Sequence, residues 1–253
     1  MPIPISVILL TKNSHRHIRT CLEALRDFDE VVVCDNGSED DTLEIVASFS
    51  HTRLIKSPFI GFGPLRLLAT QHARNDWIFA VDSDEVVSPT LCAEIAALPL
   101  NPQCIYTISR RNHFAGKPIR GCGWHPDVVL RIFNRTITGY NTYPVHESVE
   151  KPLGTQIVRL KNRLDHYPYE GVGELVDKMQ RYSDLYAQQY TGRRHVAVPL
   201  IAIKTLVTFL RDYLLRGGFR DGAEGFLISA SNAHGVFYKY MKLREANRSL
   251  KNN

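Results

Sequence analysis

Asp82, Ser83, Asp84 and Glu85 directly follow the apolar run WIFAV. In an extended stretch two aspartates separated by one residue point the same way, so both carboxylates can approach a single divalent cation. Carboxylates combined with substrate phosphates suit Mg2+ or Mn2+. Glu85 falls on the opposite face and reads as support for the following turn. A polar turn with a helix cap explains the same residues, because Asp and Ser side chains bond readily to nearby backbone. In CDNGSEDDT, Asp35 is placed to accept hydrogen bonds from a base or ribose, while Gly37 permits a tight turn. Turn and cap again account for Asn36 to Asp40. GFGPLRLLATQHARNDW sets Gly61 and Gly63 ahead of a helix, offering backbone N–H groups near its N-terminus with Arg66 in the first turns. The Gly-Lys-Ser/Thr ending of a Walker loop is absent.

These residues need elements to hold them. Over the first hundred residues, short β-branched runs (ISVILL, EVVVCD, TRLIKS, DWIFAVD) alternate with segments of helical spacing. Ile18, Cys21, Leu22 and Leu25 share one helical face, and Leu43, Ile45, Val46 and Phe49 approximately another. Ser38 or Asp40 suits the cap of the second helix, and Ser88 with Pro89 the start of the fourth. Parallel strands with helical crossovers form a doubly wound sheet, which binds ligands at the carboxyl ends of its strands. Thr11 to Asn13, Asp35 to Ser38 and Asp82 to Glu85 all fall at such ends. From residue 103 shorter strand-like pieces follow (CIYTISRR, DVVLRIFNR, TQIVRLK), and from residue 171 three helical stretches with breaks near Gly192 and Gly217-Gly218.

With 253 residues, 44% of them hydrophobic, the chain is expected to fold around a sizeable core. A net charge of +5 suits an anionic substrate or acidic membrane surface and is too small to argue for nucleic acid. Five cysteines without CxxC spacing read as reduced thiols in a cytoplasmic protein, not as structural zinc. MPIPISVILLTKN reads as a strand, not a signal peptide. VAVPLIAIKTLVTFLRDYLL is too interrupted by charge to span a bilayer. Its helical apolar spacing, with Arg193, Arg194, Lys204, Arg211, Arg216 and Arg220, suits either a membrane-surface helix or a packing helix with a solvated basic side.

Taken in order, VILLTKN, VVVCDNGSEDDT, GFGPLRLLATQHARNDWIFAVDSDE, DVVLRIFNR and VHE resemble the inverting family 2 glycosyltransferases of GT-A fold. The nearest subgroup is the bacterial lipopolysaccharide-core β-glucosyltransferase-like enzymes, and the likeness continues into HYPYEGVGELVDKMQRYSDLYA and YLLRGGFRDGAEGFLISASNAHGVFYKYMKL. The resemblance implies an α/β fold, a mixed sheet flanked by helices with a helical C-terminal extension. It implies a GT-A domain over 1–168, with a nucleotide-sugar half (1–100) and an acceptor half (101–168), followed by a helical region (169–253) associated with membrane or acceptor. It assigns Thr11, Asn13 and Asp35 to the nucleoside, Arg66 to the donor side, and Asp82, Ser83 and Asp84 to a DxD motif holding the donor diphosphate through Mg2+ or Mn2+. Where the subgroup has Gln-Arg-Asn, this chain has apolar neighbours around Arg66.

An inverting transfer needs a base for the acceptor hydroxyl. The resemblance puts Glu147 there, with Asp127 as runner-up or acceptor ligand; a structural Glu147 paired with an arginine such as Arg131 is the alternative. His166 is a candidate third metal ligand, and Trp124, His125 and His146 are candidates for the acceptor. The expected reaction moves a hexose, glucose on this resemblance, from a UDP-sugar to a lipopolysaccharide-core or other lipid-linked saccharide. Its expected place is the cytoplasmic face of the inner membrane. Nucleotidyl transfer on a related fold is a competing expectation, although LLTKNSHRH lacks the Gly-rich loop such enzymes carry. Non-catalytic sugar-nucleotide binding is another.

Overall fold

The structure, a computed structural model, describes residues 1–143 and 147–252. The chain forms two compact units, one of residues 1–110 with 127–166, the other of 111–126 with 167–253.

In the first unit the β-branched runs become β1 (Ile3–Thr11), β2 (Phe28–Asp35), β3 (Thr52–Lys56) and β4 (Trp77–Asp82), parallel and in the order β3-β2-β1-β4. β1, β2 and β4 are almost wholly buried, which is why their sequences run apolar without alternation. Register pairs Thr11 with Asp35 and Leu10 with Asp82, so the polar ends of three strands meet at one edge. The crossovers are α1 (Ile18–Ala24), α2 (Thr42–Ala47) and α3 (Phe62–Gln71). Ile18, Cys21, Leu22 and Leu25 are all buried, the face their spacing predicts. The N-cap of α2 is Asp41, which makes no side-chain cap bond, so neither Ser38 nor Asp40 takes that place; Asp40, one residue earlier, accepts the Thr42 N–H at 3.1 Å, and the Ser38 hydroxyl turns to Asp35.

Beyond β4 the chain turns into β5 (Glu85–Val87) and α4 (Pro89–Ala96), whose start is capped as predicted, Ser88 Oγ accepting the Leu91 N–H at 3.2 Å. β6 (Cys104–Phe114), β8 (Val128–Asn134) and β9 (Gln156–Tyr169) complete the order β3-β2-β1-β4-β8-β6-β9-β5. β8 runs antiparallel to β4 and β6, and β5 antiparallel to β9. The result is the expected α/β architecture, a mixed sheet flanked by helices.

The second unit holds β7 (Lys117–Pro118), α5 (Val172–Tyr190), α6 (Val198–Leu210), a π-helical turn over residues 211–215, a short 3-10 turn and α7 (Gly222–Asn252). Its core gathers Phe114, Ile119, Cys122, Leu175 and Ile228. The interruptions come at Gly192 and Gly217, where positive φ ends a helical run. All five cysteines are free and buried. Among the described residues no helix is long and apolar enough to cross a membrane.

Candidate active site

Asp82 is the last residue of β4, and the chain then turns through Ser83 and Asp84 before β5. Asp82 and Asp84 are therefore not neighbours on one extended strand, as their spacing predicts, and the turn separates their surroundings. Asp82 Oδ1 accepts from Arg66, and Oδ2 accepts from Arg131 Nη2 at 2.7 Å. The reversal also carries Glu85 into the same cluster, correcting the expectation that it faces away. Wholly buried, Glu85 accepts the Asp82 N–H at 3.0 Å through Oε2 and pairs through Oε1 with Arg131 and, at 3.4 Å, with Arg110. Arg110 Nε also donates to Asp127 at 2.8 Å.

The two cluster acids are pushed in opposite directions. Burial would raise Asp82, but the Arg131 and Arg66 guanidiniums hold it far below the usual carboxylate range. Burial raises Glu85, opposed by Arg131, and neighbouring Asp82 raises it further. Arg66 Nε, Arg131 Nε and Thr11 Oγ1 are buried and find no partner among the described residues. A buried donor left unmet costs about 1–3 kcal/mol, which sets this cluster apart from a fully satisfied ion-pair network.

The loops after β1 and β2 are laced together. Asn13 donates its N–H to Ser38 Oγ at 2.9 Å and accepts the Glu39 N–H at 2.8 Å. Asp35 accepts from the N–H groups of Gly37 (3.0 Å) and Ser38 (3.1 Å) and from the Ser38 hydroxyl. Ser83 and Ser14 share a hydroxyl contact of 2.8 Å, which ties the acidic turn to the loop after β1. Thr11, Asn13, Asp35, Ser83 and Asp82 thus come to one edge of the sheet, with Asp35 holding the β2 turn.

α3 starts at Phe62, two residues earlier than a helix preceded by both glycines, placing Gly63 inside its first turn. The Gly63 N–H donates to the Tyr143 carbonyl at 3.1 Å, so it is not offered to a ligand. A Cβ there would strike the Asn141 and Tyr143 carbonyl oxygens, backbone atoms that cannot swing aside. Leu65, Leu67 and Leu68 pack into the core on this side of the sheet, which is why polar side chains are missing around Arg66. Arg66 also lies over the Tyr140 ring at 5.7 Å.

Tyr140 connects this cluster to Glu147. Burial raises the Tyr140 hydroxyl, Arg66 and Arg131 oppose that, and the Asp82 and Glu147 carboxylates add to it. Glu147 therefore lies within electrostatic reach of the same ring that Arg66 covers. A bridge between Tyr140 and Val149 and a 2.9 Å bond from Asn141 to Ser148 hold the flanks of this loop. Arg131, the partner considered for a structural Glu147, is instead paired with Asp82 and Glu85. His146 lies outside the described residues.

β5–β9 pairing sets Glu85 opposite His166, and His166 Nε2 comes within 3.4 Å of Asp84 Oδ2. Two ligands of one small cation sit about 3 Å apart, and Mg2+ is commonly held by one or two carboxylates plus substrate phosphates. Asp84 with His166 fits such an ion, and imidazole suits Mn2+. Among the described residues no three His, Cys, Asp or Glu gather as a metal cluster, and both Asp82 oxygens are held by arginine. Trp124 and His125 belong to the second unit, His125 exposed and Trp124 stacked on Tyr169 at 5.5 Å.

Sequence reasoning passed over Arg110, Tyr140 and the pairing of Arg131 with the acidic turn. The signal for Arg131 was available. An arginine inside the apolar strand VVLRIF is rarely buried unless a carboxylate meets it.

An uncharacterized glycosyltransferase of Rickettsia typhi is 27% identical over 269 residues, covering 98% of this chain and 89% of that protein. A lipopolysaccharide core biosynthesis glycosyltransferase, LpsC, of Rhizobium meliloti is 26% identical over 255 residues, covering 95% and 92%. The crystal structure of S. aureus TarS 1-349 in complex with UDP-GlcNAc superposes with a TM-score of 0.48 at 16% identity, covering 100% of this chain and 92% of that one. The model of Glycosyl transferase family 2 matches residues 6–147, which run from β1 through the acidic turn to Glu147, and the chain belongs to that family.

Proposed function

We propose that this glycosyltransferase moves a hexose, glucose in our reading, from a UDP-sugar to a lipopolysaccharide-core or other lipid-linked saccharide with inversion at the anomeric carbon. The observation that carries it is the meeting of the Asp82–Asp84 turn, His166 and two buried arginines with unmet Nε groups, beside the carboxyl ends of β1, β2 and β4. Thr11, Asn13, Asp35 and Ser83 hold the nucleotide end of the donor, and Arg66 fixes Asp82. Asp84 and His166 hold Mg2+ or Mn2+, with Asp82 standing beside them between its arginines. A divalent cation bound there would supply the charge that offsets the departing nucleotide diphosphate.

Glu147 takes the proton of the acceptor hydroxyl as that oxygen attacks the anomeric carbon, and the nucleotide leaves from the opposite face with the bonding pair. Asp127, already engaged by Arg110, is the second choice of base. Trp124, His125 and His146 meet the acceptor. Residues 1–100 handle the donor and 101–168 the acceptor side, and the helical tail meets the membrane or the acceptor. LpsC's name supports the acceptor class.

For the tail, support comes from α6, where Val198, Leu200, Ile203, Leu206, Val207 and Leu210 are exposed with Arg193, Arg194 and Lys204 close along the chain. An exposed apolar face with basic flanks suits the anionic cytoplasmic leaflet, and the protein should co-sediment with phosphatidylglycerol vesicles in a salt-sensitive manner.

The deciding experiment is a nucleotide-sugar panel read by thermal stabilisation and metal-dependent transfer. UDP-glucose should stabilise the protein more with Mn2+ than with chelator, and Asp84→Asn should remove that difference. Equal stabilisation and turnover in chelator would overturn the metal assignment, and stabilisation by no UDP-sugar would overturn the donor class.

A further inference from the structure

The second unit contains a cavity of about 720 Å3, a size that takes small-molecule ligands. Of the residues placed in the transferase site above, only Trp124 lines it. Its lining is chemically lopsided, with Lys178, Arg211, Arg216 and Lys239 contributing positive charge and Asp212 the single acid.

Asp212 is wholly buried, and its bonds are all internal. Oδ1 accepts from Arg211 Nε at 2.8 Å and Arg216 Nη1 at 3.2 Å, and Oδ2 accepts from Asn232 Nδ2 at 3.0 Å. An isolated buried carboxylate is costly, so this one persists as the clamp that holds two guanidiniums together against their repulsion. Each guanidinium has five N–H donors, of which the clamp takes one. Two forks held side by side suit the oxygens of a phosphate or carboxylate.

The wall beside this pair is aromatic. Trp124 stacks on Tyr169 with rings 5.5 Å apart and 25° from parallel. Lys178 Nζ stands 4.7 Å from the Tyr169 ring and Lys239 Nζ 5.0 Å from the Tyr186 ring, so both ammonium groups are seated on aromatic faces. A flat aromatic wall complements the C–H face of a sugar ring, and the surrounding cations complement an acidic substituent on it.

We propose that this cavity binds an anionic saccharide, with its phosphate or carboxylate on the Arg211–Arg216 pair and its ring toward Trp124 and Tyr169. That the occupant is the acidic part of the glycosyl acceptor rests on the transferase reading above, whereas the binding itself does not.

The test is equilibrium binding to the full chain followed by tryptophan fluorescence, with glucose 6-phosphate, glucose and inorganic phosphate as separate probes. Glucose 6-phosphate should quench saturably, with glucose and phosphate each at least about tenfold weaker, the loss expected when one charge-assisted contact or one ring contact is missing. Arg211→Gln combined with Arg216→Gln should weaken glucose 6-phosphate by about tenfold or more while UDP-glucose still stabilises the protein. If that variant does not fold, Lys178→Gln with Lys239→Gln is the second, with a smaller loss expected. A polyprenyl phosphoglucose in detergent micelles tests the lipid-borne source, and tighter binding than glucose 6-phosphate would assign the site to a membrane-linked sugar. Absent saturation, unchanged affinity in the folded arginine variant (or in the lysine variant where that one does not fold), phosphate binding as tightly as glucose 6-phosphate, or displacement by UDP-glucose would each overturn the proposal. Failure of UDP-sugar to bind, with glucose 6-phosphate binding intact, would count against the transferase donor and leave the cavity's ligand standing.

Discussion

Each unit buries carboxylates against arginines, and the two clusters differ in balance. In the first, Asp82, Glu85 and Asp127 meet Arg66, Arg110 and Arg131, so acids and bases match and two of the arginines are themselves buried. In the second, one buried acid faces two arginines whose side chains are 45% and 47% exposed. A balanced buried cluster is a brace, because its charges are neutralised internally and removing one strands another. An unbalanced, half-open cluster has charge left over for a ligand. The two clusters therefore differ in how much each leaves for a ligand, the first only the unmet Nε groups of Arg66 and Arg131 and the second two half-exposed guanidiniums.

The largest effect that would sharpen this contrast belongs to a residue outside the brace. Glu147→Gln should lower turnover by as much as about ten-thousandfold while leaving the unfolding midpoint and donor binding unchanged. Near-normal turnover would move the base to Asp127. Inside the brace the pattern should invert. Arg131→Met leaves Asp82 and Glu85 short of a partner, and should cost about 3–5 kcal/mol of stability by denaturant titration. In the second unit Arg216→Met should cost no more than about 1 kcal/mol, because Asp212 keeps Arg211 and Asn232 and the arginine is half exposed. Similar losses at both positions would erase the distinction.

Two pH effects probe the clusters more gently. Asp82 is held below its ordinary value, so its contribution to stability is complete above about pH 4 and is lost as pH falls below that. The stability gap between wild type and Asp82→Asn should therefore narrow in acid. Burial pushes the Tyr169 hydroxyl up to about 12, so the folded state keeps that proton when the unfolded chain has released it. Stability should fall as pH rises from about 10 toward that value, and Tyr169→Phe should flatten this limb.

Strand runs, the α4 cap and the helical face of α1 were readable because each depends on residues within one short segment. The sheet edge followed from topology, since parallel crossovers bring strand ends together wherever the chain later goes. The contacts of the acidic turn were not readable. They depend on Arg66, Arg110 and Arg131, brought in by α3, β6 and β8, and on a reversal after Asp82 that local alternation does not announce. The second-unit cavity was less legible still. Trp124, the Tyr169–Lys178 stretch, Asp212 and Lys239 come from separate parts of the chain, and only the folded second unit gathers them.

The backbone contact at Gly63 makes the loop at residues 139–143 a follower of α3. No side chain lies between the Gly63 N–H and the Tyr143 carbonyl to absorb a displacement, and Arg66 rides on the same helix three residues on. A side chain at position 63 would push that loop off the helix that carries Arg66, so a missing methyl group sets how closely the two backbones meet.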